Sequence, residues 1–228
     1  MGAAVDPAAL QAELVHVGHR IGWGLLASAA MAFAAWKVRA LTIGGAVVST
    51  LIGAAIFSLG GFEGWLMYLA ASTVAVTTWR VGQRRRGPTP ASHGAASAVA
   101  SSATGLVGAF LMAAIDANAV GALILTSAVA AWASDAVAVE FEEGYGKGVG
   151  AIASLITAVT LAGLFALAFP TMRQLAPFIV LGVAGGLLIH RAVANRLQRS
   201  ASLNGDALLF LNTTVAAAIA YGSLLVTS

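Results

Sequence analysis

Residues 119–139, AVGALILTSAVAAWASDAVAV, decide the fold of this chain. About 20 apolar residues in α-helical conformation cross the hydrocarbon layer of a membrane. This stretch has that length, and Asp135 is its single charged side chain. It therefore predicts a membrane-spanning helix. Similar apolar stretches recur along the whole chain, separated by charged or Gly- and Pro-rich breaks, so the same prediction extends outward in both directions.

The composition of the chain agrees with a membrane location. Of 228 residues, 59% are hydrophobic and only 9% are charged, and there is no cysteine. A soluble domain has about 25% charged residues, so 12 Lys or Arg and 9 Asp or Glu are too few to cover a water-facing surface. Soluble, disordered and disulfide-stabilised classes are thereby excluded. Because outer-membrane barrel strands alternate over only about 10 residues, the pattern predicts an all-α, polytopic transmembrane helical bundle.

The apolar segments predict about eight spans in a single transmembrane domain, residues 21–228. The segments are 21–36, 41–59, 63–79, 97–115, 119–139, 149–169, 175–190 and 207–226. The first and the seventh are short enough that either could be interfacial or re-entrant. Residues 1–20 lack the basic and apolar regions of a cleaved signal peptide. They predict a short amphipathic helix at the membrane interface.

The loop charges divide unequally between the two sides of the membrane. Eight spans place ten of the twelve Lys and Arg residues on one side and only Arg20 and Arg173 on the other. Because Lys and Arg are retained in cytoplasmic loops, the crowded side is predicted to be cytoplasmic, with both termini opposite, in the plasma (inner) membrane. Five acids fall on the crowded side as well: Asp135, Glu140, Glu142, Glu143 and Asp206. Acids beside bases predict a polar site that binds phosphate and a divalent cation.

Asp135 is the leading candidate for chemistry. An ionisable group inside an apolar span costs about 3 kcal/mol unless it is paired or hydrated, and is a functional candidate for that reason. The alternative is that Asp135 only snorkels or caps the helix end. Glu142 follows seven residues later and shares the same helical face if the helix continues that far. Glu140 and Glu143 point elsewhere and are interpreted as solvated charges.

A glycine-rich stretch, GYGKGVG at residues 144–150, precedes the sixth segment. Closely spaced glycines let backbone amides approach a phosphate, and a helix N-terminus with a nearby Lys adds favourable charge. Gly146, Lys147 and Gly148 are therefore candidate phosphate-binding residues. The spacing is not that of a P-loop, and small residues four apart also serve close helix packing. Both interpretations stay open.

Two polar residues mark the last segment. Asp206 opens it and is either an N-cap or a metal ligand. Asn212 lies one to two turns further on, where a carboxamide inside an apolar helix needs hydrogen-bond partners.

The densest charge run is RVGQRRR at residues 80–86. It is interpreted first as a stop-transfer signal and an anchor to anionic membrane lipids. Nucleic-acid binding is not expected, because the chain has no soluble domain and the run has no series of stacking aromatics. The four histidines lack metal-ligand spacing, and no Ser has a paired His and Asp for nucleophilic catalysis.

Taken in order, these motifs resemble a family of small integral membrane proteins that includes plant and cyanobacterial phytyl-phosphate kinase, with many uncharacterised bacterial and archaeal relatives. The matching motifs are KVRALTIGGA at 37–46, TTWRVG at 77–82, WASD at 132–135, the glycine-rich stretch at 144–150, LNGD at 203–206 and FLNT at 210–213. The family usually has Asp-Thr before its W-A-S-E motif, where this chain has Ala130-Ala131. Asp135 stands in for the Glu, and Lys147 replaces a glycine.

The resemblance implies a membrane-embedded kinase that converts a prenyl (phytyl-like) monophosphate to the diphosphate, with ATP or CTP as the nucleoside triphosphate and with Mg²⁺. It implies that Asp135 and Asp206 bind the metal and that Asn212 orients the reacting groups. Lys37, Arg80 and Lys147 would bind phosphates. Because the family's Asp is missing, the metal site is either rebuilt with Glu140 or Glu142, or the activity is lost.

Two other functions fit the same residues. One is a transporter or flippase for prenyl or lipid phosphates, which predicts ionisable residues near the bilayer midplane. The other is a catalytically inactive relative. The expected partners are an isoprenoid lipid phosphate, a nucleoside triphosphate and membrane lipids, without nucleic acid, and a homo-oligomer is compatible with the sequence.

Overall fold

A computed structural model of the chain describes residues 7–86, 94–114, 118–197 and 205–227. These residues form seven α-helices and no β-strand. The helices are α1 Pro7–Lys37, α2 Ile43–Arg86, α3 Ala95–Ala114, α4 Asn118–Tyr145, α5 Lys147–Ala168, α6 Ala176–Leu197 and α7 Gly205–Thr227. A short 3₁₀ helix, Pro170–Leu175, joins α5 to α6. The predicted all-α fold is confirmed.

Helix α2 bends back on itself at Gly61, where φ is 72°. Glycine adopts this conformation at little cost. A straight helix of 44 residues would extend about 66 Å, more than twice the hydrocarbon layer of a membrane. Instead, the Tyr68 hydroxyl lies within hydrogen-bonding reach of Ser49, on the other side of the bend. Residues 43–60 and 62–86 are therefore two antiparallel arms, and they correspond to the second and third predicted segments.

Six helices, α2 to α7, are long and apolar enough to cross a membrane. They agree with the predicted membrane location and contain the second to eighth predicted segments, apart from a few end residues. The first predicted segment lies in α1, which has 31 residues and is not among those six. Residues 7–20 continue into that segment without a break. The described part of the N-terminal segment is therefore not a separate helix, and its place at the interface stays a prediction.

Helix α4 lies at the centre of the bundle. It packs against α2, α3, α5, α6 and α7, and 72% of its most apolar stretch is buried. Leu123, Leu125 and Val129 of α4 join Phe165 of α5 and Ile179 of α6 in the main apolar core. The central position of α4 buries its hydroxyl residues Thr126, Ser127 and Ser134 among the other helices.

Glycines allow the closest helix contacts. A Cβ atom added to Gly121 of α4 would lie 2.6 Å from the carbonyl oxygen of Gly108 in α3. A Cβ atom added to Gly182 of α6 would lie 2.9 Å from the Cβ of Ala220 in α7. Small residues at such crossings are typical of helix packing in membranes, and they bring the helix backbones close together here.

Charged side chains gather at the two ends of the bundle. At one end, Arg20 and Glu63 both approach the bend of α2. At the other end, Glu142 of α4 forms an ion pair with Arg191 of α6. We call this second end, marked by Arg80, Glu142 and Arg191, the basic end. Residues that the sequence predicts to share a side of the membrane are thus in contact.

Candidate functional site

A cavity of ≈ 720 Å³ lies between α1, both arms of α2, α3 and α4, with Leu209 of α7 also in its wall. Most of the wall is apolar, and it includes Ala27, Met31, Val38, Leu69, Val76 and Trp132. Four acidic or basic side chains complete it: Arg80, Arg84, Asp135 and Glu140. An apolar cavity with a few polar groups is the usual form of a small-molecule binding site.

Arg80, Arg84 and Glu140 lie at one end of the cavity. Along the second arm of α2 the wall runs from Tyr68 to Arg84, and along α4 it runs from Trp132 to Glu140. Arg80, Arg84 and Glu140 are nearest to the C-terminal ends of these helices, at the basic end, whereas Asp135 is one turn from Trp132 and lies deeper. The cavity therefore has a largely apolar inner part and a charged end, which we call the mouth. Arg80 and Arg84 are four residues apart, so both occupy one face of the arm.

Asp135 is placed in the cavity wall by α4. Its Oδ1 lies 3.4 Å from Nδ1 of His190 on α6. The His190 and Asp135 side chains are 16% and 18% exposed, so both are largely removed from solvent. Arg191 and Glu142 also act on Asp135 electrostatically. The residue singled out by its position in an apolar span is thus surrounded by ionisable neighbours from two helices.

The glycine-rich stretch forms the junction between α4 and α5. Gly146 has a φ of 94° and separates the two helices. Arg85 ties this junction to α2, because its guanidinium donates a hydrogen bond to the Tyr145 hydroxyl. The guanidinium carbon also lies 4.4 Å from the centre of the Tyr145 ring, a cation–π geometry. The junction is therefore held beside the helix that carries Arg80 and Arg84.

The glycines at residues 144–150 differ in which of the two predicted roles, close helix packing or phosphate binding, their surroundings allow. A Cβ atom at Gly150 would lie 2.6 Å from the carbonyl oxygen of Ala138, so Gly150 serves helix packing. No atom lies within 4 Å of the position that a Cβ atom would take at Gly146 or Gly148, so the space on that side of each residue is open. Lys147 is the first residue of α5, and its side chain lies outside the described part of the structure.

Lys37 lies at the C-terminal end of α1. Its ammonium nitrogen is 5.4 Å from the centre of the Phe33 ring and 5.1 Å from that of Trp36. Both contacts are within the range of cation–π interactions. Lys37 is not part of the cavity wall, so its predicted phosphate contact stays a prediction.

Asp206 and Asn212, the two residues of α7 with predicted roles, lie apart from the cavity. Asp206 is in the first turn of α7 and borders a separate shallow groove between α3 and α7. Asn212 is completely buried, and its Oδ1 would lie 3.0 Å from a Cβ atom at Gly186 of α6. Neither amide atom of Asn212 has a hydrogen-bond partner among the described residues. The structure thus brings Arg80 to the same cavity as Asp135, but not Asp206 or Asn212.

The predicted metal ligands are not assembled into one group. Across the described ranges, no three or more His, Cys, Asp or Glu residues lie together in a way that could hold a metal ion. Asp135 faces His190, and Glu142 faces Arg191. Mg²⁺ is often bound by one or two carboxylates together with substrate phosphates. Asp135 fits that simpler arrangement, and the Mg²⁺ requirement stays a prediction.

Sequence reasoning missed His190, Arg84 and Tyr68. His190 lies in the C-terminal half of α6, and Asp135 lies in the C-terminal half of α4. Their similar predicted depth in the membrane is the one signal in the sequence that could have paired them. Arg84 is hidden in a run of similar charges. Tyr68 has its hydroxyl within reach of Ser49, Ser72 and Ser102, which come from three helical segments. Such a cluster has no local sequence signature.

Comparison with known proteins adds no family assignment, because the chain matches no protein-family model, no curated protein and no solved structure. The family resemblance therefore rests on the sequence motifs alone. The fold and the site define a class: a helical, polytopic protein with membrane-length apolar helices and a cavity that is apolar inside and charged at its mouth.

Proposed function

We propose that the cavity binds one isoprenoid lipid phosphate and that the protein transfers a phosphoryl group to it from a nucleoside triphosphate. The observation that carries this proposal is the polarity of the cavity, with an apolar inner wall and with Arg80 and Arg84 at its mouth. A prenyl tail is apolar and its phosphate is an anion, for which Arg is the favoured partner. The motif resemblance supplies the reaction type.

In the proposed reaction, an oxygen of the lipid monophosphate forms a bond to the terminal phosphorus of the nucleoside triphosphate. The bond from that phosphorus to the bridging oxygen breaks, and the products are the lipid diphosphate and the nucleoside diphosphate. The lipid phosphate attacks as an anion, so no side chain has to remove a proton. Positioning and charge neutralisation supply most of the rate in such transfers.

Each part of the site has a role in this proposal. Arg80 and Arg84 hold the lipid phosphate, and the open space beside Gly146 and Gly148 receives the nucleotide phosphates. Asp135 would hold Mg²⁺, and the bound ion would neutralise phosphate charge. His190 keeps Asp135 in position. The predicted roles of Lys37, Asp206 and Asn212 are not part of the proposal.

We also propose eight membrane spans with both termini on the outer side and the charged mouth in the cytoplasm, across the plasma (inner) membrane. The unequal distribution of Lys and Arg supports this orientation, and so does the need for a nucleoside triphosphate at the mouth. The contact of Arg20 and Glu63 with the bend of α2 supports the pairing of segments. Transport of a lipid phosphate is the alternative function, and it has less support because three of the four charged wall residues, Arg80, Arg84 and Glu140, lie at the mouth rather than at the middle of the cavity.

The proposal is tested with detergent-solubilised protein, Mg²⁺, ATP or CTP labelled in the terminal phosphate, and farnesyl or phytyl monophosphate. We expect labelled lipid diphosphate. Asp135→Asn and Arg80→Gln should each lower turnover about 100-fold or more, the scale of losing one charge-stabilising group. The control is Arg173→Gln, which removes an exposed Arg from the opposite end and should change nothing. Binding without turnover would indicate an inactive relative, and turnover retained in Asp135→Asn would overturn the role of that residue.

A further inference from the structure

An aromatic layer lies beyond the inner end of the cavity, which is lined by Ala27 and Tyr68. Tyr68 is the wall residue of the second arm that lies furthest from the basic end. One turn beyond it, Trp65 donates a hydrogen bond from Nε1 to the Ser28 hydroxyl of α1, at 3.0 Å. The Trp65 ring also meets Phe57 edge-on, with ring centres 6.0 Å apart. Trp65 is 9% exposed and Ser28 is fully buried, so this layer fills the space beyond the cavity.

Tyr68 is held firmly at this inner end. Its hydroxyl lies within hydrogen-bonding reach of Ser49, Ser72 and Ser102. Its ring stacks on that of Trp132, with centres 6.3 Å apart. Contacts from both arms of α2, from α3 and from α4 thus fix one side chain that is only 2% exposed. Tyr68 therefore bounds the cavity at its inner end.

The distance from the mouth to Tyr68 sets the length of an extended ligand tail. At 1.5 Å per helical residue, Tyr68 lies roughly 18 Å from Arg80 along the arm. On α1, the cavity wall runs from Ala27 to Val38, which is roughly 16 Å. A C–C bond is about 1.5 Å long, and because an extended chain zigzags, each bond lengthens the tail by somewhat less than that. A depth of roughly 16 Å therefore accepts an extended chain of about 13 carbons. Three isoprene units fit extended, and a fourth fits if the tail bends.

We propose that Ala27 and Tyr68 limit the ligand tail to three or four isoprene units. This inference rests on the binding step of the proposed function and names its substrate class as short-chain prenyl monophosphates. It excludes long polyprenyl phosphates. Ala27 is the sensitive position, because its small side chain lies in the wall at the inner end and a larger one occupies space that the tail needs.

The experiment measures the affinity of purified protein for geranyl, farnesyl, geranylgeranyl and undecaprenyl monophosphate in detergent. We expect farnesyl and geranylgeranyl monophosphate to bind at least tenfold more tightly than the undecaprenyl compound. Ala27→Phe should weaken geranylgeranyl binding at least tenfold and leave geranyl binding nearly unchanged. The matched control is Ala30→Phe, on the same helix but exposed and outside the cavity wall, which should keep the original profile.

The outcomes separate this inference from the function on which it rests. Equal affinity for farnesyl and undecaprenyl monophosphate overturns the length limit, and an unchanged profile in Ala27→Phe overturns the role of Ala27. If no prenyl monophosphate binds the wild-type protein, the proposed function itself fails. Thermal unfolding confirms that each variant is folded. If Ala27→Phe does not fold, Ala27→Val should give a smaller shift in the same direction, and no shift in that variant counts equally against the proposal.

Discussion

The Asp135 carboxylate and the His190 imidazole lie 3.4 Å apart and join α4 to α6 at the basic end of the bundle. At this separation they form a close electrostatic pair, although His190 Nδ1 makes no hydrogen bond within the described residues. The next residue of α6, Arg191, pairs with Glu142. Two successive residues of α6 thus face two acids on one side of α4.

Replacing His190 by alanine should lower the free energy of unfolding by about 1–3 kcal/mol, because it leaves the largely buried Asp135 carboxylate without a partner. Denaturant titration in mixed micelles measures the change. Adding Asp135→Asn to this variant should recover much of the loss, since the amide carries no charge. A double variant as unstable as His190→Ala alone would show that the pair is not the cause.

Replacing Arg191 by alanine should lower the free energy of unfolding by less, below about 1 kcal/mol, because partly exposed ion pairs contribute little to stability. The Arg191 and Glu142 side chains are 35% and 27% exposed. Salt screens such pairs, so the difference from wild type should shrink further between low and high salt. A loss as large as that of His190→Ala, and independent of salt, would contradict this expectation.

Gly121→Ala should destabilise the bundle by about 1–3 kcal/mol, because the added methyl group forces α3 and α4 apart. The added Cβ would lie 2.6 Å from the carbonyl oxygen of Gly108. Gly163→Ala in α5 is the matched control, because no atom lies within 4 Å of its Cβ position. That variant should be neutral or stabilised by up to about 1 kcal/mol through helix propensity. Thermal unfolding in detergent compares the two, and equal effects would rule out close packing as the reason.

Gly61→Ala should cost about 1–2 kcal/mol, because a Cβ atom is unfavourable at positive φ. Gly61 has a φ of 72°, whereas its neighbour Gly60 does not have a positive φ. A Cβ atom at Gly60 would meet its nearest neighbour at 3.5 Å, an ordinary contact. Gly60→Ala should therefore be tolerated, as measured by the same unfolding assay. A Gly60→Ala variant that is less stable than Gly61→Ala would contradict the assignment of the bend to Gly61.

The proposed orientation can be tested by labelling, because the chain has no cysteine of its own. Phe62→Cys lies beside the bend of α2 and Gly148→Cys lies at the junction of α4 and α5. A membrane-impermeant maleimide should label the first variant in intact cells and the second only after lysis. Labelling in the opposite order would reverse the orientation, and labelling of both in intact cells would contradict the count of spans between them.

The helical segments were predictable because membrane-length apolar runs are a local property of the sequence. The break at Gly60 and Gly61 separates two such runs, and the structure turns the chain there. Asp135 was predictable for the same reason, since one acid in an apolar run is visible without knowing the fold. The sharing of a face by Asp135 and Glu142 follows from helical periodicity alone.

The partners of those residues were not predictable, because they depend on how distant helices pack. His190 reaches Asp135 only because α6 crosses α4 at that depth. The three serines around Tyr68 come from both arms of α2 and from α3, and no spacing along the chain relates them. Asp206 shares the predicted side of the membrane with Asp135, yet α7 directs it toward α3. The sequence predicts on which side of the membrane a residue lies, but not which site on that side it belongs to.

Under the proposed function, the position of the charged residues makes the protein an enzyme of one leaflet. Arg80 lies toward the basic end, whereas Ala27 and Tyr68 bound the cavity at its other end. A lipid phosphate held by Arg80 would then arrive from the leaflet at the basic end, and its diphosphate would return to that leaflet. A lipid phosphate delivered to the other leaflet would have to be moved across by a different protein before this one could bind it.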